Sequence, residues 1–157
     1  MDLQERINRQ KELIERMGRF YEKEGLQPTS GRILSLLMVM DKEEFTFDEI
    51  VEQLQISKSS ASNAITLLET RDAIEYFTKP GDRKRYFRIK KLDKFRLIDE
   101  HRIRLKMINT FFTDVLELKA RKDSDNALFI IDLISMLNFF LDKFDELKKE
   151  FIDGNKP

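Results

Sequence analysis

Apolar positions recur at helical spacing over most of this chain and alternate as in a strand over only one short region. From Leu3 they step by threes and fours through Ile7, Ile14, Met17 and Tyr21, with Gln10 the polar member of the seam. That period predicts a helix over residues 2–24, ended by Gly25 and Pro28. Residues 31–40 are apolar from Ile33 onward except for Ser35, the composition of a short helix buried nearly all round.

Thr46 and Glu49 then stand at capping-box spacing, each able to satisfy the other's backbone N–H. The helix they start places Phe47, Ile50, Val51 and Leu54 on one face. Gln55-Ile56 is a very short connection, and Ser57 is an N-cap for a helix from Lys58 to about Arg71. At 100° per residue, Ala61, Ala64, Ile65 and Leu68 share one side of it. Ser59, Asn63, Thr66 and Thr70 share the other, with Lys58 and Ser62 at its edge. An ordinary solvated face is a mixture of Glu and Lys, whereas this one is small and hydrogen-bonding. Short side chains let a helix approach base edges, and Asn suits a bidentate contact with adenine.

Residues 74–78 and 86–89 read as strands around Lys79-Pro80-Gly81-Asp82-Arg83-Lys84-Arg85, a β-hairpin with a basic tip. A long helix over 93–122 follows, with a seam of Ile98, His101, Leu105, Ile108, Phe112 and Val115. After a break at Lys122-Asp123-Ser124, a last helix over 125–151 carries Ile130, Ile134, Leu137, Leu141, Phe144 and Phe151, widened by Leu133, Phe140 and Leu147. The expected class is mainly α with a small β-hairpin wing, a winged helix-turn-helix flanked by long dimerisation helices. Its expected divisions are 1–24, 25–91 and 92–157. The flanking helices hold more apolar surface than one small winged helix covers, so a homodimer is expected. Ile14, Met17, Ile108, Phe112, Ile134, Leu137, Leu141 and Phe144 are its expected contacts.

Composition narrows the chemistry. There is no Cys, and a single His cannot build a histidine metal site. With no phosphate-cradling glycine loop either, neither an enzyme nor a cofactor or metal centre is expected. No apolar run is long enough to span a bilayer, and the start of the chain has no signal-peptide pattern, so a cytoplasmic protein without a membrane partner is expected. The 13 Phe residues recur at helical spacing, the pattern of a core more than of an aromatic cage. His101 in its seam reads as a packed or interfacial histidine. Net charge is zero, with 29 basic and 29 acidic residues, but Lys79, Arg83, Lys84, Arg85, Arg88, Lys90 and Lys91 face only Asp82 within their segment. Such a stripe binds phosphate while the whole molecule stays neutral.

Two helices on a short turn followed by a basic hairpin make a winged helix-turn-helix, and here the sequence resembles the MarR-type regulators. Within them it resembles the branch typified by the glycine-betaine synthesis repressor, GbsR. The matching residues are Gly31-Arg32-Ile33-Leu34, Phe47-Asp48-Glu49-Ile50, Ile56 to Ala64, Leu67-Leu68-Glu69 and Pro80 to Phe87. The resemblance implies a sequence-specific regulator of transcription, a repressor, that binds double-stranded DNA as a dimer. It implies major-groove contacts from Lys58, Ser59, Ser60, Ser62, Asn63 and Thr66, and wing contacts from Arg83 with Lys84 and Arg85 beside it. Asp82 would orient the wing arginines, and a small-molecule effector would control DNA binding. Two positions depart from the pattern. Asp72 replaces the glycine that usually follows the recognition helix, and Glu75 stands where the first wing strand commonly carries a base. A winged helix can also dock proteins without DNA, which is the alternative reading.

Overall fold

The computed structural model describes residues 1–91 and 93–154. It divides into two compact units, residues 1–91 and the remainder.

The first unit opens with α1 (Leu3–Lys23), capped by Asp2, whose side chain accepts from the Glu5 N–H at 2.7 Å. Gly25 closes α1, but Pro28 does not belong to that stop. It is an N-terminal residue of α2 (Pro28–Val39), where proline's missing N–H costs nothing. Helices α1 and α2 cross closely because both carry glycine at the contact: a Cβ on Gly31 would lie 3.0 Å from the Gly18 carbonyl oxygen. Residues 1–24, expected to stand apart, therefore pack on α2 within this unit. Ile14, expected at a dimer interface, is only 4% exposed and belongs to the core with Ile33, Leu36, Leu54, Leu68 and Phe87. An apolar seam records that a face is covered, not whether the cover is the same chain or another.

A two-residue strand, β1 (Phe45–Thr46), leads into α3 (Phe47–Leu54), and α4 (Lys58–Thr70) follows. Strands β2 (Ile74–Thr78) and β3 (Arg85–Ile89) form the hairpin, and β1 adds to its far side in the order β1-β3-β2, all antiparallel. Phe45 pairs with Phe87, and both are buried, which ties the hairpin to the core of the unit.

The second unit is an α-hairpin of α5 (Arg96–Leu118), a few residues shorter than expected at each end, and α6 (Asp125–Gly154), which starts where expected and runs a few residues further. Ser124 caps α6, its hydroxyl accepting from the Ala127 N–H at 3.3 Å. The helices run antiparallel: Lys148 Nζ donates to Asp99 Oδ2 at 2.7 Å near one end, and Asn109 Nδ2 to Asn138 Oδ1 at 2.8 Å further along. Leu137 and Leu141 are buried within this hairpin, with Ile108, Phe112, Ile134 and Phe144 half-buried. Of the residues expected to meet a second copy, Leu137 and Leu141 are thus covered by their own hairpin, while the other four in this unit keep part of their surface exposed. The exposed apolar set is different, and includes Ile103, Phe111, Leu118, Phe129, Phe139, Phe140 and Leu147. His101, expected to be packed or interfacial, is exposed within this unit, which rules out only the packed half of that expectation. Among the described residues no helix is long and apolar enough to cross a membrane.

Candidate nucleic-acid interface

The site begins with α3, whose start is held by the capping box in full. Glu49 N–H donates to Thr46 Oγ1 at 3.3 Å, and Thr46 N–H donates to Glu49 Oε2 at 2.8 Å. The Lys42 ammonium and then the Thr46 N–H hold the Glu49 carboxyl below its ordinary range. At the far end Gln55 takes a left-handed conformation, φ 51°. That single residue reverses the chain, and Ser57 caps α4 two residues later.

Ser57 Oγ accepts the Ser60 N–H at 3.1 Å and donates to the Ser60 hydroxyl at 2.8 Å, with Ser59 Oγ also at 3.1 Å. Ser60 thus serves the cap as well as standing exposed. On α4, Ala61, Ala64, Ile65 and Leu68 are buried against the core. Lys58, Ser59, Ser62, Asn63, Thr66 and Thr70 are exposed, as the helical spacing predicts. The Thr66 hydroxyl donates back to the Ser62 carbonyl at 3.0 Å and that of Thr70 to the Thr66 carbonyl at 2.8 Å. Asn63 forms no side-chain hydrogen bond with the described residues, so both its donors and its acceptor are available. Lys58 lies 3.8 Å from Asp48, both 76% exposed, a pair worth little in water.

Asp72 ends the stretch at φ 61°. It adopts the left-handed conformation that the glycine usual at this place would adopt, which Asp tolerates better than most residues. Its carboxylate also pairs with Lys90.

The wing turn closes where the Asp82 N–H donates to the Lys79 carbonyl at 3.0 Å, over Gly81 at φ 79°. Among the described residues the Asp82 carboxylate forms no ion pair with an arginine side chain. Its Oδ1 accepts from the Lys84 N–H at 2.9 Å and its Oδ2 from the Tyr86 hydroxyl at 2.6 Å. Those bonds, the phenol's first, hold the Asp82 carboxyl below its ordinary range, and the same carboxylate raises the Tyr86 phenol. Tyr86 also stacks on Phe77, centroids 5.8 Å apart, beneath the Lys79 ammonium at 4.3 Å. Sequence reading missed Tyr86. Its signal is the four-residue spacing from Asp82, which brings the phenol of a strand under a turn carboxylate.

The basic stripe is less free than its sequence window implies. Lys79 pairs with Glu44, Arg88 with Glu75 at 2.8 Å, and Lys90 with Asp72. Each of those acids lies outside residues 79–91 and arrives through sheet pairing or a turn; Glu75 sits opposite Arg88 in the β2–β3 register. Arg85 lies 5.5 Å from the Tyr76 ring. Arg83 and Lys84 form no ion pair with the described residues, so the tip keeps its charge for an outside partner.

The segment from the end of α1 to the start of β3 carries the decisive comparison: residues 24–85 match the sequence profile of the MarR family. Over those residues the winged helix is similar to the MarR family. Among curated proteins, the HTH-type transcriptional regulator MmpR5 of Mycobacterium tuberculosis is 33% identical over 79 residues, 50% of this chain and 48% of that one. The chain therefore spans about half the length of that relative. A crystal structure described as a transcriptional regulator superposes with a TM-score of 0.62 at 20% identity, covering 92% of this chain and 98% of that one. At that identity the likeness is one of fold. The MarR-family profile covers α2, α3, α4 and the first wing strand, the elements that carry the polar face and bring the chain to the wing tip.

Proposed function

We propose that this chain is a sequence-specific double-stranded-DNA-binding regulator of transcription, a repressor acting as a homodimer. The observation that carries the reading is the polar face of α4, held out by a fully capped helix-turn-helix while the wing tip keeps Arg83 and Lys84 unpaired. In it, Ser59, Ser62, Asn63 and Thr66 read base edges in the major groove, Lys58 and Ser60 support the approach, and the wing grips phosphate or the minor groove. Asp82 positions the wing through the Lys84 N–H and Tyr86.

The exposed apolar side chains of α5 and α6 support the homodimer. Phe111, Phe129, Phe139, Phe140 and Leu147 are each at least 58% exposed, and such density of large apolar groups marks an association surface. A two-fold dimer presents two recognition helices to two half-sites. A small-molecule effector belongs to the same proposal. It would act by binding one spacing of the two recognition helices better than the other.

Selection from a random duplex pool, followed by fluorescence anisotropy on the selected and a scrambled duplex across a salt series, tests the reading. Tight, sequence-dependent and salt-sensitive binding is expected. Absence of binding to any duplex at low salt would leave protein docking as the function of the winged helix.

A further inference from the structure

One side chain joins α1, α2 and the turn that launches α4. Arg32, on α2, donates to Glu15 Oε1 on α1 from Nε at 2.8 Å and from Nη2 at 2.5 Å. The same Nη2 reaches the Leu54 carbonyl at 3.4 Å. Leu54 is the last residue of α3, so its carbonyl is one of the four that a helix C-terminus leaves without an intrahelical donor. The residue after it is Gln55, whose left-handed conformation sets the direction of the chain into α4.

Two further features single out this contact. Gly18 makes room for the arginine stem: a Cβ there would lie 2.8 Å from Arg32 Cγ. A cleft of about 490 Å³ borders the same place and is lined by Lys11, Glu15, Arg32, Leu54 and Gln55 among others. Gln55 is exposed beside this cleft, and the guanidinium reaches the carbonyl that precedes it.

We propose that Arg32 is a positioning residue for DNA recognition, setting through Glu15 and the Leu54 carbonyl the angle at which α4 leaves α3. A planar guanidinium can hold a carboxylate and a carbonyl at once in one geometry, which a lysine ammonium does not reproduce. A cation beside the C-terminal carbonyls of α3 is also favoured by the helix dipole. The orientation of α1 is thereby linked to that of the recognition helix. The consequence for DNA rests on the function proposed above; the geometric part does not.

The absence of cysteine permits a clean distance measurement. Spin labels on Arg19→Cys (α1) and Arg71→Cys (the end of α4) report the angle by pulsed electron paramagnetic resonance, with and without Arg32→Gln. The expected result is a broadened or displaced distance distribution at unchanged helical circular dichroism. Without the labels, Arg32→Gln lowers the ratio of affinities for selected and scrambled duplexes about tenfold, with scrambled-duplex binding little changed. Glu15→Gln shifts the ratio the same way, and the double variant is no worse than Arg32→Gln alone. Arg32→Lys restores part of the ratio, and it carries the test should Arg32→Gln fail to fold. An unchanged distance distribution and ratio overturn the proposal. So does an equal loss on both duplexes with a lowered melting temperature, which marks a merely structural role. Should the wild-type chain select no duplex, the DNA-binding reading fails and the distance distribution alone decides on Arg32.

Discussion

The Tyr86 hydroxyl donates to Asp82 Oδ2 at 2.6 Å while the other oxygen of that carboxylate holds the Lys84 N–H. The wing tip is therefore braced from its own second strand, and Arg83 and Lys84 are presented by a turn whose shape depends on a phenol–carboxylate bond.

The bond has a pH signature with two limits. Asp82 is depressed from its ordinary value, so its contribution is present above that value and is lost as pH falls through the lower, folded one. Tyr86 is raised, so its contribution is complete below the phenol's ordinary range and is lost as pH rises through the higher, folded value. Tyr86→Phe keeps the ring stack and removes the bond; amide exchange in residues 79–86 should become faster. In Asp82→Asn the Tyr86 phenol should titrate nearer its ordinary value in a tyrosine-resolved NMR titration. An unmoved phenol would show that the two groups are not coupled in solution.

Thr46→Ala removes one half of the capping box and should cost about 1 kcal/mol in urea denaturation. Glu49→Gln should lower stability at neutral pH. Because the Glu49 carboxyl is depressed, the gap between wild type and variant should close as pH falls below the ordinary carboxylate range.

At Asp72 the backbone cost can be separated from the side chain. Asp72→Gly and Asp72→Ala both lose the pairing with Lys90, but only Ala keeps a Cβ at φ 61°. Asp72→Ala should be less stable than Asp72→Gly by about 1 kcal/mol, measured by thermal or denaturant unfolding.

The two DNA elements should divide their work. Asn63→Ala should cost about 1–3 kcal/mol on the selected duplex and relax specificity at the base it reads. Arg83→Ala should weaken selected and scrambled duplexes to similar extents, and reduce the salt slope by about one per subunit if the contact is to phosphate. Anisotropy on both duplexes over a salt series distinguishes them. An affinity ratio untouched by Asn63→Ala would remove that residue from the reading of bases.

Inward and outward apolar residues of the α-hairpin should respond differently to charge. Leu137→Asp places a carboxylate at a buried position and should destabilise the fold by about 3 kcal/mol or more. Phe140→Asp, at a position 58% exposed, should leave the hairpin folded and shift sedimentation toward monomer. A Phe140→Asp protein with wild-type mass in solution would place any dimer contact elsewhere.

Helix periods, the capping box at Thr46 and Glu49, the Ser57 cap and the polar face of α4 were legible in the chain because each depends on residues within a turn or two of one another. The left-handed Asp72 was legible for the same reason, as one residue standing where a glycine is usual. The strand pairing of Phe45 with Phe87 was not, because a two-residue strand has no period to read and exists only where β3 lies beside it. The charge at the base of the wing is not readable from its own segment, since Glu44, Glu75 and Asp72 pair with Lys79, Arg88 and Lys90 from neighbouring elements while the tip stays charged. Likewise the seams holding Ile14, Leu137 and Leu141 declared that they would be covered, and the tertiary structure supplied the cover from the same chain. Local hydrogen bonds and periodic burial are written in short stretches of sequence; which distant acid meets a base, and which helix covers an apolar face, are settled only when those stretches pack.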